Sequence, residues 1–187
     1  MIPCLTLVNK THRLPEDWLD HIALVSARNM MNEPYRLEKE TLNQFYALRD
    51  RLLNEGITVD VESAYRSVQE QEALWAEFEK EYGLEYCHAY VAVPGFSEHH
   101  MGLAVDIRLI RDGSVVKDGA PGKEALFARV HTIMPEFGFI LRYPAGKEKI
   151  TGYACEPWHL RYVGAEAARI IAARGITLEE YLALQIK

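Results

Sequence analysis

Apolar residues recur every three to four positions from Glu38 to Gly56. Leu42, Phe45, Leu48 and Leu52 fall on one side of a helix that Gly56 ends. The period then drops to two: in ITVDVES, Ile57, Val59 and Val61 alternate with Thr58, Asp60 and Glu62, which predicts a half-buried strand. The helical period returns in SVQEQEALWAEFEKEYG, where Ser67 and Glu70 form a capping box and Leu74, Trp75 and Phe78 supply the apolar side. After YVAVPG, the run LAVDIRLI predicts a strand, and KEALFARVHTIM a third helix that stops near Pro135. GFILRY and WHLRYVG read as two further short strands. AEAARIIAARG reads as a helix, and TLEEYLAL as a last one opened by a capping box between Thr177 and Glu180.

Helices and strands are intermixed, but the late strands are joined by connections too short for helical crossovers. This predicts an α+β fold with a small, largely antiparallel sheet flanked by helices, rather than a doubly wound one. No linker, repeat or low-complexity tract divides the 187 residues, so 1–187 is expected to be a single domain with its own core. With 49% apolar and 26% charged residues, the composition excludes a disordered chain. The net charge of −6 argues against nucleic acid or an anionic membrane as partner, since both call for a basic surface. Cys4, Cys87 and Cys155 are odd in number and lack CxxC spacing, which predicts reduced thiols. The apolar run in MIPCLTLVNK is too short for a signal or a membrane span, so no membrane anchor is expected and the chain is expected to stay in the cytoplasm.

Chemistry concentrates in SEHHMGLAVDI. On one continuous strand His99 and Asp106, seven positions apart, would face opposite ways. A turn at Gly102 would let both face one point, and the small Ala104 on the face of Asp106 would leave room for a metal and its water. A catalytic zinc takes three protein ligands and keeps a fourth position for water. His12 and His21 lie in polar sequence and are expected at the surface, and His131 on the polar edge of a helix. His88 falls in a segment without a clear pattern. His100 is expected to point away from His99, toward the surface or into a supporting role.

The stretch EPWHLRYVG remains. Glu156 precedes Pro157, which favours an extended backbone, and His159 begins a strand beside large apolar residues. Alone, the two also read as an ordinary ion pair. Joined to His99 and Asp106, His159 becomes a third zinc ligand and Glu156 a base beside the metal-bound water. Zinc brings bound water to a pKa of about 7, and a carboxylate can take its proton and pass it to a departing amine. The set therefore suits amide hydrolysis. The chain has neither HExxH nor GxSxG, so it is not a thermolysin-like zincin or a serine hydrolase with a nucleophile elbow.

With these motifs the chain resembles the zinc D-Ala-D-Ala carboxypeptidases and dipeptidases, the VanY/VanXY type of vancomycin-resistance D,D-peptidase with the hedgehog/DD-peptidase fold. SEHHMGLAVD matches the SxHxxGxAxD pattern and EPWH the ExxH pattern, and LVNKTHRLPEDW, AYRSVQEQ, VPGFSEHH and GFILRYPAGKEKITGY agree in order. The resemblance implies His99, Asp106 and His159 as ligands of one zinc ion and Glu156 as catalytic base. It also implies that Arg66 polarises the scissile carbonyl, and that Ser97 and Gln71 lie near the substrate. Ala64, where glycine is common, and Met101 depart from the pattern; Met101 is expected to narrow or line the substrate entrance. The implied substrates are the D-Ala-D-Ala dipeptide or a UDP-linked muramyl pentapeptide. An L,D-carboxypeptidase, a peptidoglycan endopeptidase or a zinc-containing binding module without catalysis are the alternatives within the fold.

Overall fold

The computed structural model describes residues 4–185, so Met1–Pro3 of the apolar N-terminal run and residues 186–187 lie outside it. An antiparallel hairpin of β1 (Leu24–Arg28) and β2 (Pro34–Glu38) leads into α1 (Lys39–Leu53). Glu38 caps that helix, its carboxylate accepting from the Thr41 amide at 2.9 Å. Thr41, Leu42, Phe45, Leu48 and Leu52 are its buried residues, which include all four of the predicted face. Next come β3 (Thr58–Ser63), α2 (Val68–Tyr82) and α3 (Leu84–Tyr90), then β4 (Ala104–Arg111) and the two-residue β5 (Ser114–Val115). The chain finishes with α4 (Lys123–Ile133), β6 (Phe139–Leu141), the one-turn α5 (Glu148–Thr151), β7 (His159–Tyr162), α6 (Ala165–Arg174) and α7 (Leu178–Gln185).

The main sheet runs β3-β4-β7-β6 with β5 paired to β4, and every pairing is antiparallel, as the short connections predict. Its largest core joins α1 and α4 to Val59, Val61, Val105, Ile107, Phe139 and Leu160. Neighbouring strand residues point to opposite faces, so Ile140 leaves that core and packs with α6 and α7. A third cluster joins Val8, Leu14 and Trp18 to Met101 and Leu103. Among the described residues, no member of α2 or α3 belongs to any of the three clusters. Fold and sheet type agree with the sequence reading.

Besides the short β5 and α5, the β1–β2 hairpin and one helix escaped that reading. The β1–β2 hairpin alternates weakly and begins its second strand with Pro34. In its turn the Asn29 side-chain carbonyl accepts from the Met31 and Glu33 amides at 3.1 and 2.9 Å, and Asp60 of β3 accepts from the Met30 amide at 3.0 Å. The other is α3, seven residues long and separated from α2 only by Gly83, at φ +85°.

Gly102 ties the hairpin to the loop that carries His99. It sits at φ +66°, and a Cβ there would meet the Leu24 side chain at 2.7 Å and the Glu38 amide nitrogen at 2.9 Å. Gly102→Ala should therefore lower unfolding stability by about 1–3 kcal/mol, read from denaturant melts. An unchanged midpoint would show that the loop does not depend on this close approach.

Candidate metal centre

Strand register assembles half of the site. Asp106 on β4 lies directly opposite His159 on β7 and, across its other edge, opposite Ser63 on β3, next to a bulge. Directly opposed residues share a face, so Ser63, Asp106 and His159 form one row across three strands. His99 comes from a single 3-10 turn, Glu98–Met101, just ahead of β4. Ser97 caps the turn, accepting from the His99 amide at 3.3 Å, and left-handed Gly102 closes it. The turn swings His99 over the row, as the placement of Gly102 suggested.

The three predicted ligand side chains meet. Their ligand atoms all lie within 4.8 Å of one another. His99 Nε2 is 3.2 Å from Asp106 Oδ2, and His159 Nδ1 is 3.0 Å from Asp106 Oδ1. The imidazoles stand perpendicular, centroids 5.0 Å apart. Each ring's outer nitrogen has a partner that aims the inner one at the cluster. His99 Nδ1 lies 2.7 Å from the Ala64 carbonyl, and His159 Nε2 lies 3.4 Å from Glu98 Oε2.

Electrostatics fits a cation at this point. Burial alone would raise the pKa of Asp106, but His99 and His159 outweigh it and hold the carboxylate ionised far below the usual range. Burial opposes a charge on His159, yet Asp106 and Glu98 lift its pKa to about 10. Burial pushes His99 down. The pocket thus favours a positive charge between its carboxylates. Asp106 Oδ1 is buried and makes no well-directed hydrogen bond, a costly state that a divalent ion would relieve. Two imidazoles and one carboxylate suit zinc.

Glu156 stands just before β7, its Oε2 3.7 Å from His159 Nδ1. Burial pushes its pKa up to about 8, with Asp106 adding to the rise against the pull of His159 and Arg66. Arg66, between β3 and α2, is pinned at both ends: Nη1 donates to Gln71 Oε1 at 2.6 Å and Nη2 to Ser63 Oγ at 2.8 Å. Gln71 is fully buried and donates its amide to the Ala92 carbonyl at 2.7 Å. Ser97, Gln71, Arg66 and Glu156 all line one cleft of about 430 Å³ with the three ligand candidates.

One expectation needs correction and another is narrowed. Met101 does not line the entrance: it is fully buried against Val8, Leu14, Trp18 and Leu103, on the side of the turn away from the cleft. Of the two places expected for His100, the surface is excluded and the supporting role is what the structure shows. The His100 ring is fully buried, with Nδ1 2.7 Å from the Arg66 carbonyl and Nε2 accepting from the Gly95 amide at 3.1 Å. A 3-10 turn, unlike a strand, leaves no solvent side here. His12, His21 and His88 are exposed, and His131 is half-buried with Nε2 2.8 Å from the Pro157 carbonyl.

Glu98 was missed. Its side chain is fully buried, with Oε1 accepting from Arg142 Nε and Arg161 Nη1, both at 2.7 Å. Arg142 continues to Glu179 of α7 at 2.6 Å, so the C-terminal helix is tied to the ligand set. The available signal was the LRY repeated at the end of β6 and in β7, which places an arginine beside apolar strand residues and so calls for a buried carboxylate. Burial would raise the pKa of Glu98, but Arg161, Arg142 and His159 hold it well below 4.5. Its stabilisation is therefore complete above 4.5 and is lost progressively as pH falls from there toward the folded value. Glu98→Ala should cost about 3–5 kcal/mol at neutral pH, because the buried Arg161 guanidinium loses its anion and Arg142 keeps only Glu179. The gap to wild type should narrow in denaturant melts below pH 4.5; a gap independent of pH would contradict this.

A buried His–Asp–His cluster beside a high-pKa carboxylate and a clamped arginine, on an antiparallel α+β fold, defines a single-metal peptidase. Residues 34–165 match the VanY D-alanyl-D-alanine carboxypeptidase family, and the chain belongs to it. It is 39% identical to the bifunctional D-Ala-D-Ala dipeptidase and D-Ala-D-Ala carboxypeptidase VanXYC of Enterococcus gallinarum, over 95% of this chain and 92% of that protein. Its structure is similar to that of a vancomycin-resistance D,D-pentapeptidase VanY in complex with Zn(II). That match has a TM-score of 0.80 and 33% identity, over 96% of this chain and 98% of the other. It is also similar to the vancomycin-resistance D,D-dipeptidase VanXYg in complex with a D-Ala-D-Ala phosphinate analogue. Here the TM-score is 0.83 and the identity 31%, over 97% of this chain and 70% of the other. Among the described residues, no helix is long and apolar enough to cross a membrane.

Proposed function

We propose that this chain is a zinc D,D-peptidase that hydrolyses D-Ala-D-Ala, or the terminal D-Ala of a UDP-linked muramyl pentapeptide, in vancomycin resistance. The observation that carries the reading is the meeting of His99, Asp106 and His159 at one point of a cleft that Glu156 and Arg66 also line. Bound by the three ligands, zinc supplies an activated water and an electrophile for the carbonyl oxygen. Glu156 takes the proton from the attacking water and delivers it to the amine nitrogen as the C–N bond breaks. Burial raises the proton affinity of Glu156, which suits it to hold the proton it passes to the amine, and a dication on the three ligands would offset that rise and favour the ionised form that accepts it.

Arg66 stabilises the negative charge that develops on the scissile carbonyl oxygen. Its guanidinium is always charged and already fixed in place, so little reorganisation accompanies the reaction. Gln71 and Ser63 hold it there, and the Gln71 amide, which spends one donor on the Ala92 carbonyl, keeps a second N–H on the cleft for the substrate. The Ser97 hydroxyl, which accepts from the His99 amide, keeps its own proton to donate to a substrate carboxylate or carbonyl. In this reading residues 1–187 are one catalytic domain acting in the cytoplasm, where the free thiols of Cys4, Cys87 and Cys155 stay reduced.

The test is D-Ala release from D-Ala-D-Ala and from UDP-MurNAc-pentapeptide, each with and without a chelator. Chelator-sensitive release from either supports the reading, and the ratio of the two names the preference. Release only from an L,D-linked peptide or from intact peptidoglycan would replace it with the L,D-carboxypeptidase or endopeptidase alternative.

A further inference from the structure

Arg66 is held at its backbone as well as at its side chain, and the backbone contact comes from a residue that does not line the cleft. At the side chain, Nη1 donates to Gln71 Oε1, and the Gln71 amide donates onward to the Ala92 carbonyl. At the backbone, the Arg66 carbonyl lies 2.7 Å from His100 Nδ1. The second ring nitrogen of His100 accepts from the amide of Gly95, a few residues on from Ala92, at 3.1 Å. An amide N–H can only donate, so Nε2 carries no proton and Nδ1 is the donor to Arg66. The contacts close a ring that runs from the guanidinium through Gln71, the 92–95 loop and His100 back to the Arg66 carbonyl.

The ring joins groups that face the reacting centre. Arg66, Gln71, Ala92 and Ser97 line the cleft, whereas His100 does not. The turn that carries His99 does not need this imidazole, because Ser97 caps it and Gly102 closes it. The next residue, Met101, fills an equally buried place by apolar packing alone. Nor is His100 needed to dock the arginine segment on that turn. The Arg66 amide donates to the His99 carbonyl at 3.3 Å, and His99 Nδ1 lies 2.7 Å from the Ala64 carbonyl. What His100 adds is the link from Arg66 to Gly95, and so to the loop that leads into Ser97. A fully buried imidazole is costly to desolvate, but with both nitrogens satisfied it fixes a geometry that an apolar side chain would leave open.

We propose that His100 is a positioning residue for the peptidase reaction, setting Arg66 and the Gly95–Ser97 loop at a fixed spacing on the cleft. It acts through those two groups and never on the substrate. The guanidinium then stands in place before charge develops on the scissile carbonyl, and Ser97 stands where the substrate meets it. The inference rests on the D,D-peptidase reading, in which Arg66 stabilises that charge.

Three substitutions separate the two contacts. His100→Asn puts an amide N–H near the place of Nδ1 and keeps the donor to Arg66. His100→Gln puts an amide oxygen near the place of Nε2 and keeps the acceptor for Gly95. His100→Phe keeps a ring and neither contact. The test measures D-Ala release from D-Ala-D-Ala, zinc affinity by competition with a chelator, and thermal melts. His100→Gln should lose roughly 10- to 100-fold in kcat, with KM within about threefold of wild type. His100→Asn should keep kcat within about threefold and raise KM, and His100→Phe should show both losses. Zinc affinity should stay at the wild-type value throughout, because both nitrogens of His100 are occupied by Arg66 and Gly95. Wild-type kinetics in folded Gln and Asn variants would overturn the proposal. So would kcat and zinc affinity falling together in all variants in the order of their melting temperatures, the pattern of packing alone. Should the Phe variant fail to fold, the contrast between Gln and Asn decides. A wild type that releases D-Ala from neither the dipeptide nor UDP-MurNAc-pentapeptide would overturn the peptidase reading and this role with it.

Discussion

Glu156→Gln is expected to lower the rate of D-Ala release by roughly 10²–10⁴-fold, the usual contribution of general acid–base catalysis, while the protein keeps its zinc. Glutamine preserves the volume and one acceptor but can neither take nor return a proton. Glu156 stands 3.7 Å from His159 Nδ1, beside the ligand cluster rather than within it, so the three metal donors survive the change. Activity assays paired with metal analysis read both halves. A variant with wild-type turnover would remove Glu156 from the reaction and revive the binding-module alternative. A variant that loses its zinc would make Glu156 part of the ligand set.

Asp106→Ala should have the other large effect, removing zinc and activity together. Asp106 is the only anion of the three donors, and it touches both imidazoles, at 3.2 and 3.0 Å. Zinc affinity should fall by more than the roughly 10–100-fold that follows loss of a supporting contact. Competition with a chromophoric chelator measures it, and thermal melts of the metal-free proteins check the fold. Wild-type zinc affinity in a folded Asp106→Ala variant would show that the ion lies elsewhere.

What the sequence disclosed follows from where the physics is local. The 3.6-residue period of Leu42, Phe45, Leu48 and Leu52 and the inward face of Val59 and Val61 report burial directly and agree with the structure. Asp60, expected on the polar side of that strand, is buried as well and paired with Arg108. His99 and Asp106 stood out from the apolar run around them, whereas His159 reads alone as half of an ion pair and gained its meaning only beside them; the structure brings the three side chains together. Glu98 was not legible, because its meaning depends on Arg142 and Arg161, 44 and 63 residues away. Met101 was misplaced, and the surface alternative for His100 arose, for a related reason. The backbone was read as extended, whereas a 3-10 turn wraps the chain and buries every side chain from Glu98 to Met101. The apolar side of α2 was seen, but periodicity does not say that it faces a cleft rather than a core.

The central claim is that one zinc ion on His99, Asp106 and His159 drives the release of D-Ala. The direct measurement is a titration of the chelator-treated protein with zinc, following D-Ala release from D-Ala-D-Ala and from UDP-MurNAc-pentapeptide. Release should be absent at the start, rise in proportion to added zinc and level off at one equivalent per chain. Release that persists without metal, or that zinc does not restore to a folded protein, would contradict the account.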